Sequence, residues 1–250
     1  MSFDGKVALV TGAGSGMGRA TSLMFAKKGA AVAAADLNPA EAEATVQAIR
    51  KNGGQAMPIQ LDVRSAAQVK SMIDQVVGKY GKLDIAFNNA GVLVKQWIRM
   101  ADESDDVFNI IVDTNLKGVR LCMKHETAVM LKQGGGVIIN NASISGLSPS
   151  PHQSSYCASK HAVMGLTNSA AVEYAADNIR IVAVCAGWVD TPMVAPLRSV
   201  PGNEQIIQAS VPAGRLGRPE EIAELVTWLA SDAASYICAG GFPICGGLTL

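Results

Sequence analysis

Charge is what this sequence has least of. Only 17% of its 250 residues are Asp, Glu, Lys or Arg, and 21 bases balance 21 acids to a net charge of zero. No run of like charges occurs, so no field steers the chain to nucleic acid or an anionic membrane, and a small-molecule partner is expected. Aromatic residues are scarce as well, at 5%, but 49% of the chain is hydrophobic. That excludes an extended disordered tail, which needs low hydrophobicity and high net charge. No apolar stretch reaches the ~18 residues of a membrane span. Residues 1–6 have no basic segment leading into an apolar one, so a cytoplasmic protein is expected. Histidine occurs three times and cysteine five. Cys122, Cys157, Cys185, Cys238 and Cys245 are odd in number and scattered, in a chain large enough to need no staples, so buried thiols are expected. Cys122 and His125 stand one helical turn apart, but neither His152 nor His161 completes a ligand-spaced cluster, and no metal is expected.

Glycine, by contrast, is plentiful at 25 residues, and short apolar runs alternate with longer helical patterns. Segments 7–10, 31–35, 57–61, 85–87, 137–139 and 181–184 read as strands buried on both faces. Segments 17–28, 39–51, 65–80, 105–131 and 155–176 read as crossover helices. The expectation is α/β: one doubly wound (Rossmann) parallel sheet with helices on both faces, a single domain over 1–250. The alanine run 31–35 is equally good helix material; Gly29 before it and Asn38-Pro39 after it decide for strand. The segment 187–219 carries Pro192, Pro196, Pro201 and Pro212 and no strong strand. Its Trp188, Met193, Val194 and Leu197 favour a substrate lid at about 188–215.

After the first strand, Thr11-Gly12-Ala13-Gly14-Ser15-Gly16-Met17-Gly18 opens a helix. Glycines there let the backbone turn sharply and approach a pyrophosphate, which rests on the unpaired N–H groups at the helix start. A bare tight loop is the competing reading, but strand before, helix after and Asp36 at the end of the second strand suit a dinucleotide. Asp36 lies where an adenosine ribose is held, and its charge repels a 2′-phosphate. Neither Ser15 nor Leu37 offers a base to offset this, so NAD is expected over NADP. Otherwise, Asp36 is a helix-start charge before Pro39.

The spacing is T-G-x-x-x-G-x-G rather than G-x-G-x-x-G, and here the sequence resembles the compact branch of the short-chain dehydrogenase/reductase family. Asn88-Asn89-Ala90-Gly91 resembles that family's N-N-A-G, and Asp62-Val63 its adenine-contacting pair. Asn115 matches the asparagine of N-L-K-G, Ser143 the serine after strand five, and Tyr156 with Lys160 the Y-x-x-x-K. The resemblance spans essentially the whole chain. It implies an oxidoreductase moving hydride between NAD and a secondary alcohol or ketone, with Asn115, Ser143, Tyr156 and Lys160 catalytic. It assigns the cofactor to Gly12, Ser15, Gly16, Met17, Gly18, Asp36, Leu37, Asp62, Val63, Asn89, Ala90, Gly91, Tyr156, Lys160, Gly187, Val189 and Thr191. A homotetramer is implied too. The apolar helix 105–131 and the small residues Ala158, Ala162, Gly165, Ala170 and Ala171 would let helices of two subunits approach.

The residues themselves support part of this. An isolated tyrosine titrates near 10, too high for a neutral-pH base, and Lys160 four residues on lies one turn away to stabilise phenolate. Packing of Tyr156 and solvation of Lys160 is the competing reading. Ser145 rivals Ser143, which is preferred because the family's serine stands thirteen residues before the tyrosine, as here. Asparagine is a poor helix former, so Asn115 should have a local task; in relatives it loosens the helix and holds a water.

Ala186-Gly187-Trp188-Val189-Asp190-Thr191 corresponds to the family's P-G-x-x-x-T with Ala186 in place of proline, a change that should loosen the turn. Cys238 and Cys245 replace a threonine and an aspartate near the relatives' subunit interface. Cys157 should point away from Tyr156 and be inertly buried. His152 either touches substrate or is merely exposed. The walls 94–100 and 147–153 and the lid, with Leu93, Trp97, Ile98, Leu147, Trp188, Met193 and Leu197, suggest an apolar, uncharged substrate. The alternatives are a non-catalytic dinucleotide sensor and an epimerase or lyase on the same fold.

Overall fold

The computed structural model describes residues 2–93 and 97–248. In chain order the strands are β1 (Val7–Thr11), β2 (Ala31–Asp36), β3 (Ala56–Gln60), β4 (Ile85–Asn88), β5 (Gly136–Asn141), β6 (Ile179–Ala186) and β7 (Gly241–Ile244). The helices are α1 (Gly16–Lys27), α2 (Pro39–Lys51), α3 (Ala66–Tyr80), α4 (Asp105–Val112), α5 (Gly118–Gln133), α6 (Ser154–Tyr174), α7 (Ala195–Arg198), α8 (Asn203–Ser210) and α9 (Pro219–Ala230). Among the described residues all seven strands pair in parallel, in the order β3-β2-β1-β4-β5-β6-β7. The order reverses between β1 and β4, which opens a crevice beyond their carboxyl ends.

Local signals set most boundaries. Asn38 accepts the Ala40 N–H at 3.1 Å to cap α2, with Pro39 at its first position, and Gly81 ends α3 at φ 80°. The alanine run of β2 is a strand because both its edges are taken, Val7 to Thr11 on one side and Ala56 to Gln60 on the other. Tertiary pairing outweighs alanine's helical propensity there. One face of the sheet packs Met72, Val76, Val119, Met130 and Val163 from α3, α5 and α6. The other packs Phe25, Val46, Ile49, Ile222 and Val226 from α1, α2 and α9.

Several expectations change. The helix expected over 105–131 is interrupted: a π-helical turn, Asp113–Lys117, separates α4 from α5. Four elements were not foreseen: α7 and α8 within the expected lid, α9 and β7. Pro219 at the first position of α9 and the Glu221 carboxylate accepting the Arg218 N–H at 2.7 Å were available start signals. Strand β7 contains Pro243, which an edge position tolerates. The cysteines divide: Cys122 and Cys185 are buried, Cys157 and Cys245 half-buried, and Cys238 exposed. Ala171 faces the core, so it offers nothing to a second subunit. No helix among the described residues is long and apolar enough to cross a membrane.

Candidate active site

A cleft of about 600 Å³ opens at the carboxyl ends of β1, β2, β4, β5 and β6. Every residue expected to bind cofactor lines it except Gly18, as do Ser143, Tyr156 and Lys160. Gly18 lies beneath the turn, where a Cβ would stand 2.0 Å from the Gly12 carbonyl oxygen. Gly12 and Gly16 adopt φ of 64° and 50°, which glycine does at no steric cost.

The first turn of α1 is prepared for an anion. Ser15 makes no side-chain cap and the turn holds no acid, whereas Asn38, Ser65 and Ser104 each cap their helix. The N–H groups at the start of α1 thereby lack a capping side chain, a geometry that suits an anion. Asp36 faces this turn, its Oδ2 accepting the Gly14 N–H and its Oδ1 the Asn38 N–H. The carboxylate therefore ties the end of β2 to both the glycine turn and the start of α2. Further along, Arg64 grips Asp62 through Nη2 at 2.6 Å and Nε at 2.9 Å, and its hydrogen bonds hold the Asp62 carboxyl below the usual range. Arg64 lines the cleft and was missed, because nothing in the sequence marks a pair two residues apart.

Hydrogen bonds lock the loops together. Thr11 Oγ1 accepts the Asn89 and Ala90 N–H groups at 3.0 Å each, and Asn89 Nδ2 donates to the Thr11 carbonyl at 3.1 Å. Asn141 Nδ2 donates to Asn89 Oδ1 at 3.1 Å, and Lys160 Nζ donates to the Asn141 carbonyl at 2.7 Å. One chain of bonds therefore runs from the glycine turn to Lys160 through Asn141, another residue the sequence reading overlooked.

Tyr156 and Ser143 line the cleft together; the Ser143 Oγ accepts the Ser145 N–H at 3.2 Å and lies 3.5 Å from the Ala186 carbonyl oxygen. Ser145 lines the cleft as well, its Oγ accepting the Ser150 hydroxyl at 2.7 Å. Ser143 sits at φ 94°, a region costly for a residue with a Cβ. Burial pushes the Tyr156 phenol up, and Ser143 partly offsets it. Lys160 Nζ lies 5.6 Å from the ring centroid; burial pushes its ammonium down to about 8. The net displacement of the phenol is upward rather than the downward one expected from Lys160, because desolvation outweighs the lowering by Ser143.

Asn115 lies behind the cleft, fully buried in the π-helical turn. Its Oδ1 accepts the Val92 N–H at 2.8 Å and its Nδ2 donates to the Val92 carbonyl at 2.9 Å. The side chain thereby pins the loop after β4, a tertiary contact rather than a task within its own helix.

The remaining departures resolve individually. The turn after Ala186 is held by backbone bonds in place of a proline ring: Gly187 N–H to the Ile244 carbonyl at 3.0 Å and Gly217 N–H to the Trp188 carbonyl at 2.9 Å. Cys157 is not inertly buried; its Sγ lies 3.7 Å from the Ser148 carbonyl and 3.6 Å from His161 Nδ1. His152 is exposed and outside the cleft lining. Leu93, Trp97, Trp188 and Met193 line the cleft, joined by Ile206, Ile207 and Leu248, which were not anticipated. Ile98, Leu147 and Leu197 do not: Leu147 turns to solvent and Leu197 is buried. Residues 94–96 of the expected wall lie outside the described residues. No group of three His, Cys, Asp or Glu among the described residues could hold a metal ion.

Comparison with known proteins extends this geometry. A family model described as enoyl-(acyl carrier protein) reductase matches residues 12–249. The chain is 38% identical to 3-oxoacyl-(acyl-carrier-protein) reductase of Thermotoga maritima, over 100% of both chains. It is 38% identical to cyclohexanol dehydrogenase of Acinetobacter sp., covering 99% of this chain and 96% of that one. Its fold is similar to a short-chain type dehydrogenase/reductase from Mycobacterium marinum, with TM-score 0.94, 39% identity and coverage of 99% and 97%. It is also similar to 3-ketoacyl-(acyl-carrier-protein) reductase from Brucella melitensis complexed with NADH, with TM-score 0.92, 32% identity and 100% of both chains covered.

Proposed function

The chain belongs to the short-chain dehydrogenase/reductase family, and we propose that it is an NAD-dependent enzyme interconverting a secondary alcohol and its ketone. The observation that carries this reading is the convergence of Ser143, Tyr156 and buried Lys160 in the same cleft as the glycine turn and Asp36. A dinucleotide fits the residues present: uncapped N–H groups at α1 for phosphates, Asp36 for ribose hydroxyls, and Gly187, Val189 and Thr191 for the nicotinamide end. Bound there, the nicotinamide supplies or accepts the hydride. Ser143 holds the reacting oxygen, and Tyr156 takes or returns its proton. Lys160 sets the charge around the phenol, and Asn115 keeps the loop at Val92 in place.

NAD is favoured over NADP by Asp36, whose charge would face a 2′-phosphate. Arg64 does not offset it, because Asp62 occupies its guanidinium. The NADH in the Brucella melitensis relative supports the same choice. The segment about 188–215, with α7 and α8, covers the substrate end as a lid, and its apolar lining suits an uncharged substrate. The chain forms one domain and assembles as a homotetramer; exposed Phe108 and Ile110 on α4 and Val172 on α6 support self-association.

The test is a panel of secondary alcohols and ketones with NAD(H) and NADP(H), followed by nicotinamide absorbance. Stoichiometric NADH release with a simple alcohol supports the reading, and no turnover with any pair overturns it in favour of a sensor. A β-ketoacyl thioester belongs in the panel, since two relatives above are reductases of acyl-carrier substrates. A strong preference for it would move the substrate class and keep the reaction.

A further inference from the structure

One buried donor in the cleft lacks an acceptor. Gln153 is 6% exposed, lines the cleft just before α6, and its Nε2 has no hydrogen-bond partner among the described residues. Five buried side-chain atoms share that condition, the others belonging to Thr21, Asn88, Glu126 and Arg198, and only Gln153 lines the cleft. Its backbone is committed: the N–H donates to the Ser150 carbonyl at 3.2 Å, and its carbonyl accepts the Cys157 N–H at 2.8 Å. The amide is thus carried on a fixed backbone, three residues before Tyr156. An amide N–H buried without an acceptor destabilises a fold, and such groups call for a partner that arrives from outside.

The surroundings define that partner. Ser150 donates its hydroxyl to Ser145 Oγ at 2.7 Å, and Ser143 Oγ accepts the Ser145 N–H at 3.2 Å. The cleft lining also includes Leu93, Trp97, Trp188, Met193 and Ile206, with Ser148 and Ser210 as further hydroxyls. Its charged side chains other than Lys160, namely Asp36, Glu41, Asp62 and Arg64, stand at the end of β2 and on the segments that follow β2 and β3, so a neutral group is the fitting partner for the amide. The reacting oxygen already has Ser143 and Tyr156. We propose that Gln153 determines specificity by donating to a second, neutral oxygen of the substrate, a hydroxyl or carbonyl beside the reacting carbinol or ketone. This rests on the alcohol–ketone reading above. A hydroxyl is the more versatile partner, since it both donates and accepts and so answers either end of the amide.

The test measures kcat/KM for cyclohexanones bearing a hydroxyl at the 2-, 3- or 4-position against their methyl counterparts, with whichever nicotinamide cofactor the enzyme uses. The methyl group matches the hydroxyl in size and lacks its oxygen. For at least one position the wild type should prefer the hydroxyl ketone by about 10- to 100-fold, the span expected when a buried polar group is otherwise left unpaired. Gln153→Met, similar in length without the N–H, should collapse that ratio to near one, while NADH binding and thermal midpoint show that it is folded. A wild type in which no hydroxyl ketone outperforms its methyl partner overturns the proposal, even if the variant fails to fold. A folded variant that retains the ratio does so as well. Turnover of methyl and hydroxyl ketones alike removes the role of Gln153 and leaves the reaction standing, whereas no turnover of any ketone or alcohol removes the reaction.

Discussion

The carboxylate of Asp36 accepts the backbone N–H of Gly14 at 2.8 Å, tying the end of β2 to the glycine turn. An ionised carboxylate has further acceptor capacity, so the same group can hold ribose hydroxyls while bracing the turn. Asp36→Ala should weaken NAD by about 1–3 kcal/mol, the range for hydrogen bonds to charge, and remove repulsion toward NADP. Asp36→Asn loses the charge but keeps one acceptor, so either the Gly14 or the Asn38 N–H also loses its partner. Leu37, 62% exposed at the cleft edge, should favour NADP further as Leu37→Arg. The check is kcat/KM for both cofactors at fixed ionic strength; an unchanged ratio in Asp36→Ala would reduce Asp36 to a helix-start charge.

Tyr156→Phe should retain NADH binding and lower turnover by at least ~10²-fold, the usual scale for a lost general acid/base. Lys160→Met should move the activity–pH limb upward. Removing a cation near the phenol disfavours phenolate and raises a pKa that burial already pushes up. A folded Tyr156→Phe enzyme with near-normal turnover would dismiss the assignment.

Glycines of this fold should respond oppositely to a methyl group. Gly18→Ala would set its Cβ 2.0 Å from the Gly12 carbonyl oxygen and 2.6 Å from Asn89 Nδ2, so a loss of about 1–3 kcal/mol is expected, with weakened cofactor binding. Gly78→Ala in α3 meets nothing within 4 Å and should gain about 0.5–1 kcal/mol. Urea denaturation of both variants measures the difference.

Glu126 supplies a pH test remote from the cleft. It is fully buried, its Oε2 accepts Asn88 Nδ2 at 2.9 Å, and burial pushes its carboxyl from 4.5 to about 8. Between those values the folded protein keeps the proton and the unfolded chain releases it. This group's contribution to stability therefore falls as pH rises through that window, by at most ~1.4 kcal/mol per unit. Glu126→Gln should remove that slope, and its advantage over wild type should be larger at pH 8 than at pH 5.5 in matched urea titrations. Parallel pH dependences would show that the buried carboxyl titrates normally.

What the sequence determined by itself is local. The glycine turn, the cap at Asn38 and the four-residue step from Tyr156 to Lys160 depend on neighbours within one turn or loop, so they could be read in order along the chain. The alternation of short apolar runs with helical patterns likewise sufficed for a doubly wound sheet, because strands buried on both faces need continuous hydrophobicity. Tertiary structure alone decided which side chains meet across strands. Asn141 links Asn89 to Lys160 only because β4 and β5 are neighbours, Ser143 comes to the cleft that holds Tyr156 because β5 ends beside it, and Gln153 Nε2 is shut from solvent only because the surrounding elements bury it. Strand β7, with Pro243 at an edge, and the π-helical turn at Asn115 belong to the same class. Their weak intrinsic preferences are overruled by pairing with β6 and by the bonds to Val92, contacts between residues far apart in the chain.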